Sequence, residues 1–119
     1  MSKLSGMVDL IEAGLKTESL RQRAIANNVA NIQTPGYRRI DIRFKEQLAK
    51  ALASSGDVDF SKIAPQIYQP RQTPVKSDGN DVSLELEVGE LVKNSLRHKA
   101  YIRLLNKKYQ QIELAIKTR

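Results

Sequence analysis

Residues 83–118 decide the fold, and they read SLELEVGELVKNSLRHKAYIRLLNKKYQQIELAIKT, without a proline. From residue 88 onward, steps of three and four define a stripe on which seven of nine positions are apolar. This spacing is typical of a helix that packs along a seam. The nine positions are Val88, Leu91, Ser95, His98, Ile102, Leu105, Tyr109, Ile112 and Ile116. Because Ser83 suits the N-cap position and acids follow it, we predict a helix from Ser83 to Thr118, about 54 Å long.

The N-terminal segment repeats this spacing between residues 4 and 29, where six of eight stripe positions are apolar and Glu18 and Gln22 are the exceptions. A globule of 119 residues has a radius of gyration of only about 13–14 Å, so the rest of the chain cannot enclose the C-terminal helix. The sequence therefore predicts an all-α fold, an elongated antiparallel pair of long N- and C-terminal helices with an irregular middle loop region. The N-terminal residues expected to pack against the C-terminal stripe are Leu4, Val8, Ile11, Leu15, Ile25 and Val29.

Asparagines and a Pro-Gly pair mark the end of the first helix, near residue 31. Asn27, Asn28 and Asn31 favour helix termination, because asparagine tolerates left-handed geometry and bonds nearby backbone. Pro35 and Gly36 fit the two central positions of a type II turn.

The middle of the chain holds all four prolines and predicts little regular structure. Residues 43–54 are expected to form a short helix with Phe44, Leu48, Ala51 and Leu52 on one face, and residues 57–77 at most short edge strands. We expect one structural domain overall, with a core helix in 1–33, an irregular segment in 34–80 and a second core helix in 81–119.

The net charge of +7 is concentrated at one end, because residues 93–119 carry eight basic residues and one acid. The other 92 residues balance, with 12 basic and 12 acidic residues. A basic helix of this kind indicates a nucleic acid, an anionic lipid or an acidic protein partner, or merely a solvated face whose bases suit the helix dipole.

Residues that could carry chemistry are few. The chain has no cysteine and one histidine, His98, so thiol catalysis, a catalytic triad and a zinc site have no support. Residues 78–81 (DGND) lack the later ligands of a calcium loop, and no nucleotide-binding loop is present. We therefore expect no enzyme activity, no cofactor and no metal. The acids among the first 20 residues argue against a cleavable signal peptide.

Residues 26–37, ANNVANIQTPGY, resemble the N-terminal signature of bacterial flagellar axial proteins, the rod, hook and hook-associated family. That signature is an Asn-rich helix end followed by Thr-Pro-Gly-Tyr. Residues 41–44 (DIRF), 78–85 (DGNDVSLE), 94–97 and 104–108 resemble blocks of the proximal rod subunits within this family.

The resemblance implies a structural subunit of the proximal rod that self-assembles helically, with both helices in an inner α-helical layer, and that transmits torque. The expected partners are other copies, neighbouring rod proteins, the membrane-embedded ring and the export apparatus, with no nucleic acid and no small-molecule substrate. The expected location is the periplasmic rod of the basal body, reached by type III export without a cleaved signal peptide. Six residues should fix the exit of the first helix and meet adjacent subunits: Asn27, Asn28, Asn31, Pro35, Gly36 and Tyr37. The alternatives are a small basic coiled-coil adaptor and a nucleic-acid-binding protein.

Overall fold

Two long helices dominate the structure, a computed structural model that describes residues 2–53 and 62–118, with side chains from residue 6 onward. Helix α1 spans Ser2–Ala30, and the C-terminal helix, α3, spans Leu84–Lys117. Between them lie strand β1 (Asp41–Arg43), helix α2 (Lys45–Ala53) and strand β2 (Gln66–Tyr68). The predicted pair of terminal helices and the irregular middle are confirmed.

The molecule is long and thin, as the length of α3 requires. It measures 66 × 31 × 15 Å and its radius of gyration is 18.0 Å, well above the value of about 13–14 Å for a globule of this length. Helices α1 and α3 run antiparallel, since Gly14 of α1 lies against Tyr101 of α3, whereas Asn28, later in α1, bonds Glu87, earlier in α3. A slab of this thickness exposes both of its faces.

The seam between the helices is rotated from the one that the apolar stripe predicts. Glu87, Asn94 and Tyr101, one heptad apart, meet α1, whereas the predicted positions lie one residue further on. One residue turns a helix by about 100°, so seven of the nine predicted stripe positions are exposed. The exposed apolar members that lie one residue after the seam positions or further along the same heptad line, between 39% and 65% exposed, are Val88, Ile102, Tyr109 and Ile116.

The reason for the rotation is chemical. Asn28 of α1 and Arg39 of the loop after it face the start of α3. Both donate hydrogen bonds to Glu87, and the apolar side chain of Val88 could accept neither. The remaining stripe positions, 91, 98, 105 and 112, are only partly turned away from α1. Leu105 and Ile112 among them are half-buried. Leu91 is 40% exposed, and His98, which lies on the predicted stripe, is also exposed.

The α1 stripe follows the prediction more closely. Ile11 and Ile25 are buried, Val8 and Leu15 are half-buried, and Val29, predicted in the seam, is exposed. The side chain of Leu4 lies outside the described residues. Glu18 interrupts the apolar stripe and is nevertheless buried, so the seam of α1 carries a charge at its centre.

The predicted turn at the end of α1 is confirmed. The Tyr37 amide donates to the Thr34 carbonyl at 3.2 Å and Gly36 has a φ of +77°, which is the geometry of a type II turn. The chain leaves α1 through this turn and runs back along the helix as β1.

The middle segment contains a small antiparallel ladder that the sequence did not predict at residues 41–43. Ile42 of β1 pairs with Ile67 of β2, and β1 lies against α1. The predicted short helix is present as α2, with Phe44 buried just before it and Leu52 58% exposed. Position 54 and part of the predicted strand region, residues 57–61, lie outside the described residues.

Gly14 of α1 leaves room for the Tyr101 ring of α3. A Cβ atom built on it would lie 2.4 Å from the Tyr101 ring, so any side chain there forces the ring to move. Gly89 is the matched helical control, because a Cβ built on it meets nothing within 4 Å.

We expect Gly14→Ala to destabilise the chain by about 1–3 kcal/mol, the usual cost of overpacking. Gly89→Ala should stabilise it by about 1 kcal/mol through helix propensity alone. Urea unfolding followed by circular dichroism checks both. Equal stabilisation by the two substitutions would contradict the close approach.

Candidate functional site

The core of this protein is unusually polar. Among the described residues six apolar side chains are buried, and eight polar or charged side chains are buried with them. None of the buried polar side-chain atoms in the described part of the chain lacks a hydrogen-bond partner. The eight are Thr17, Glu18, Asn28, Arg39, Asn80, Asp81, Glu87 and Asn94. Five of them form one cluster, which we call the polar junction: Asn28, Arg39, Asn80, Asp81 and Glu87.

Asn28 is the centre of the polar junction and is fully buried. Its Nδ2 donates to the Ile40 carbonyl at 2.9 Å and to Glu87 Oε1 at 2.8 Å. Its Oδ1 accepts from the Ile40 amide at 2.9 Å and from the Tyr37 hydroxyl at 2.9 Å. One amide thereby joins α1, the returning loop and α3, and all four of its hydrogen-bonding positions are used.

A buried ion pair completes this link. Arg39 Nε donates to Glu87 Oε2 at 2.7 Å and Arg39 Nη2 to Glu87 Oε1 at 3.4 Å, which gives the two-armed geometry that favours arginine over lysine. Burial on its own lowers the pKa of Arg39, but the hydrogen bond and the charge of Glu87 outweigh it, so the pKa is raised. The guanidinium therefore stays charged and paired.

Asp81 and Asn80 attach the approach to α3 to the exit of α1. Asp81 Oδ1 accepts the backbone N–H of Arg39 at 2.6 Å and Oδ2 accepts from Arg38 Nε at 3.2 Å. Asn80 Nδ2 donates to the carbonyls of Asn31 and Thr34 at 2.8 and 2.9 Å. Both carbonyls lie in the turn that follows α1, so Asn80 fastens this turn from a position 49 residues away from Asn31.

Two turns touch at this point. The Gly36 amide donates to the Asp78 carbonyl at 2.9 Å, and a Cβ built on Gly79 would lie 3.3 Å from the Cα of Gly36. Gly79 also has a φ of +87°, a conformation that suits glycine. Glycine at this position is therefore favoured by its backbone angle, and a side chain there would also be in tight contact with the other turn.

A second polar contact lies further along the helix pair. Asn94 Nδ2 donates to the Glu18 carbonyl at 2.7 Å and to Glu18 Oε1 at 3.2 Å. Arg21 also pairs with Glu18 and reaches the Ile42 carbonyl at 3.0 Å. The carboxylate of Glu18, which interrupts the apolar stripe of α1, is therefore bonded by Arg21 of α1 and by Asn94 of α3.

Tyr37 lies at the rim of the polar junction. Its hydroxyl accepts from Asn27 Nδ2 at 2.7 Å while it donates to Asn28. Burial raises the pKa of Tyr37, the hydrogen bond from Asn27 lowers it, and the negative charge of Glu87 raises it, with a raised pKa as the result. Deprotonation of Tyr37 would remove the proton that it donates to Asn28.

The structure brings together several of the residues singled out from the sequence. Asn27, Asn28 and Tyr37 meet at the junction, and Asn31 donates from Nδ2 to the Asn27 carbonyl at 2.8 Å. Pro35 and Gly36 are exposed on the turn beside it. The sequence thus located the exit of α1, and contact of these residues with adjacent subunits stays a prediction.

The charged half of the junction was missed. Arg39, Asp81 and Glu87 lie in segments where charged residues are ordinary, and Glu87 is one of the acids after Ser83 that suit the start of a helix. One signal was available, because an acid on an apolar stripe, such as Glu18, requires a partner when it is buried. The spacing of residues along the sequence does not identify that partner.

The described polar junction links segments of the chain to one another, since each of its buried polar side-chain atoms has a hydrogen-bond partner. In the ranges 2–53 and 62–118, no group of three or more His, Cys, Asp or Glu residues is placed to hold a metal ion. Among the same residues, no helix combines the length and apolar character needed to cross a bilayer. The polar junction holds three segments of one chain in a fixed arrangement.

The sequence of this chain is similar to those of known flagellar proteins. A family model described as "Flagella basal body rod protein" matches residues 12–38. The chain is 31% identical to the flagellar basal body rod protein FlgB of Aeromonas hydrophila, over 87% of this chain and 86% of that protein. It is 32% identical to FlgB of Cereibacter sphaeroides, over 82% of this chain and 83% of that protein. It is 29% identical to FlgB of Bacillus subtilis, over 98% and 97%.

We expect Asn28→Ala to destabilise the fold strongly. The substitution leaves several buried groups without partners, each at a cost of about 1–3 kcal/mol. Asn27→Ala removes one exposed hydrogen bond and should cost under about 1.5 kcal/mol. Urea unfolding of the two variants checks this difference, and similar losses at both positions would show that Asn28 does not organise the junction.

Tyr37 should give the junction a pH dependence in the alkaline range. Since its pKa is raised on folding, the associated stability is complete below the unfolded value of about 10 and is lost as pH rises through the folded value. An NMR titration of the Tyr37 ring should show a higher midpoint in the folded chain than in the urea-unfolded chain. Coincident midpoints would contradict the assignment.

Proposed function

The chain belongs to the FlgB family of flagellar basal body rod proteins, and we propose that it builds the proximal rod by assembling with copies of itself into a helical tube that transmits torque. It is a structural component of the flagellar basal body. The main support for self-assembly is the apolar surface that the helix pair leaves uncovered.

This surface, which we call the outer apolar line, runs along α3 beside the seam. It is the part of the predicted stripe that the rotation of α3 turns away from α1, and its members are Val88, Ile102, Tyr109 and Ile116. Burying a side chain of this kind stabilises by about 1.5–3 kcal/mol. A neighbouring helix packed there would therefore gain several kcal/mol that the isolated chain leaves unused.

The proposed assembly is a polymer and not a closed pair. The slab is 15 Å thick and 66 Å long, so a subunit can be covered on both faces while it remains in contact with neighbours along its length. An outer apolar line that meets a different surface of the next copy is a heterologous contact, and repeated contacts of this type generate helical assemblies.

A torque-bearing subunit also needs a stiff joint between its segments. Charge-assisted hydrogen bonds in the polar junction are directional and strong, so they fix the angle at which the loop leaves α1 and meets α3. We propose that the exposed residues on this exit, Pro35 and Gly36 among them, contact adjacent subunits. Neighbouring rod proteins and the membrane-embedded ring are the other proposed partners.

Export in an unfolded form is the proposed route to the periplasmic rod, through the type III export apparatus and without cleavage of a signal peptide. Two properties support it. The chain has no cysteine that could cross-link in an oxidising space. Its buried core among the described residues has only six apolar side chains, so the isolated chain should be marginally stable and complete its folding on assembly.

We expect Tyr109→Glu to abolish rod assembly while leaving export of the subunit intact. Tyr109 is 49% exposed on the outer apolar line, and a charge there would be buried without a partner in the assembled rod. The matched control is Gln110→Glu, exposed on the same helix but off the line, which should assemble normally.

The measurement is the number of complete rods in isolated basal bodies, with exported subunit quantified separately. Normal rods in the Tyr109 variant, or equal loss in both variants, would contradict the proposed contact.

A further inference from the structure

A groove on the side of α3 away from the seam is lined by Leu96, Lys99, Ala100, Arg103 and Leu104. Leu96 is 63% exposed and Leu104 is 45% exposed, so its apolar part has no cover in the chain alone. This groove is separate from the outer apolar line, which flanks the seam. We call it the basic groove.

Uncompensated positive charge is the second property of the basic groove. Residues 93–108 contain six basic residues and no acid. Lys93 pairs with Glu90, and Arg97 lies 3.8 Å from Glu18. Lys99 and Arg103 form no ion pair with any described residue.

We propose that the basic groove docks an acidic amphipathic helix of another protein. Leu96, Ala100 and Leu104 form one i, i+4 ridge, and Lys99 and Arg103 lie on the ridge beside it. Two helices pack by inserting the ridge of one into the groove between such rows of the other. The small Ala100 at the middle allows a close approach, and carboxylates beside the partner's apolar stripe would meet both cations.

A second copy of this chain is a poorer occupant. Outside residues 93–119 the chain carries 12 basic and 12 acidic residues, so it offers no matching excess of negative charge. Its densest acidic run, residues 81–90, has Asp81 and Glu87 buried in ion pairs. The complementary charge must come from a different protein.

A membrane surface is also less favoured by the composition of the groove. Helices that lie in a bilayer interface present a broad apolar face with large side chains such as Trp, Phe and Leu. Here the apolar part is two leucines and an alanine, a width that suits one partner helix. The inference does not depend on rod assembly, because it concerns binding by the single chain.

The test uses the full chain and a synthetic amphipathic helix in which leucines at i, i+4 and i+7 are flanked by glutamates. A second peptide carries glutamines at the same positions. The double variant Lys99→Glu/Arg103→Glu is compared with Lys45→Glu/Lys117→Glu, which has the same net charge and alters two exposed lysines elsewhere. Lys99→Gln/Arg103→Gln provides a milder change, and circular dichroism verifies the helix content of each variant.

Binding of the glutamate peptide should weaken about tenfold in Lys99→Glu/Arg103→Glu and clearly less in the control. The glutamine peptide should bind more weakly than the glutamate peptide to the unaltered chain. Equal loss in both double variants would overturn the proposal, as would equal binding of the two peptides. Binding to phosphatidylglycerol vesicles that depends on Lys99 and Arg103 in the absence of peptide binding, or groove-dependent self-association in sedimentation, would overturn it in favour of a membrane or a second copy.

Discussion

The buried amide of Asn28, bonded to the Arg39–Glu87 ion pair, is the interaction on which the rest of the structure depends. Ionised groups lose much hydration energy when they are buried, and they are tolerated only with close partners and further hydrogen bonds. Here Glu87 is 0% exposed and accepts from both Asn28 and Arg39. The arrangement is satisfied only if α1, the loop and α3 are all in place. It therefore specifies one register of the helix pair.

This requirement explains the rotation of α3. If apolar burial alone decided the packing, the stripe that includes Val88 and Ile102 would face α1. Glu87 faces it instead, and the stripe is divided between a half-buried line and the outer apolar line. The polar junction thus stabilises the single chain and, by the same rotation, leaves an apolar surface uncovered. The proposed assembly depends on that surface, so the fold of the subunit and its proposed contacts with neighbours would have one physical origin.

Sequence periodicity predicted what depends on neighbouring residues: both long helices, the Ser83 cap and the type II turn at Gly36. It did not predict which face of α3 meets α1, because that choice depends on Asn28 and Glu87, which are 59 residues apart. The periodicity also does not reveal the role of Gly14, which depends on the Tyr101 ring of the other helix. Asn27 and Asn28 have the same local propensity, and burial alone makes Asn28 the organiser and Asn27 a rim residue.

A double-mutant cycle on the ion pair tests this account most directly, with the free energies of unfolding of Arg39→Met, Glu87→Met and the double variant. Each single substitution leaves a buried charge without its partner and should cost about 3–5 kcal/mol. The double variant removes both charges, while Asn28 Nδ2 keeps its bond to the Ile40 carbonyl. It should therefore be more stable than either single variant. If the two losses simply add, the ion pair does not hold the helices in register and the account is wrong.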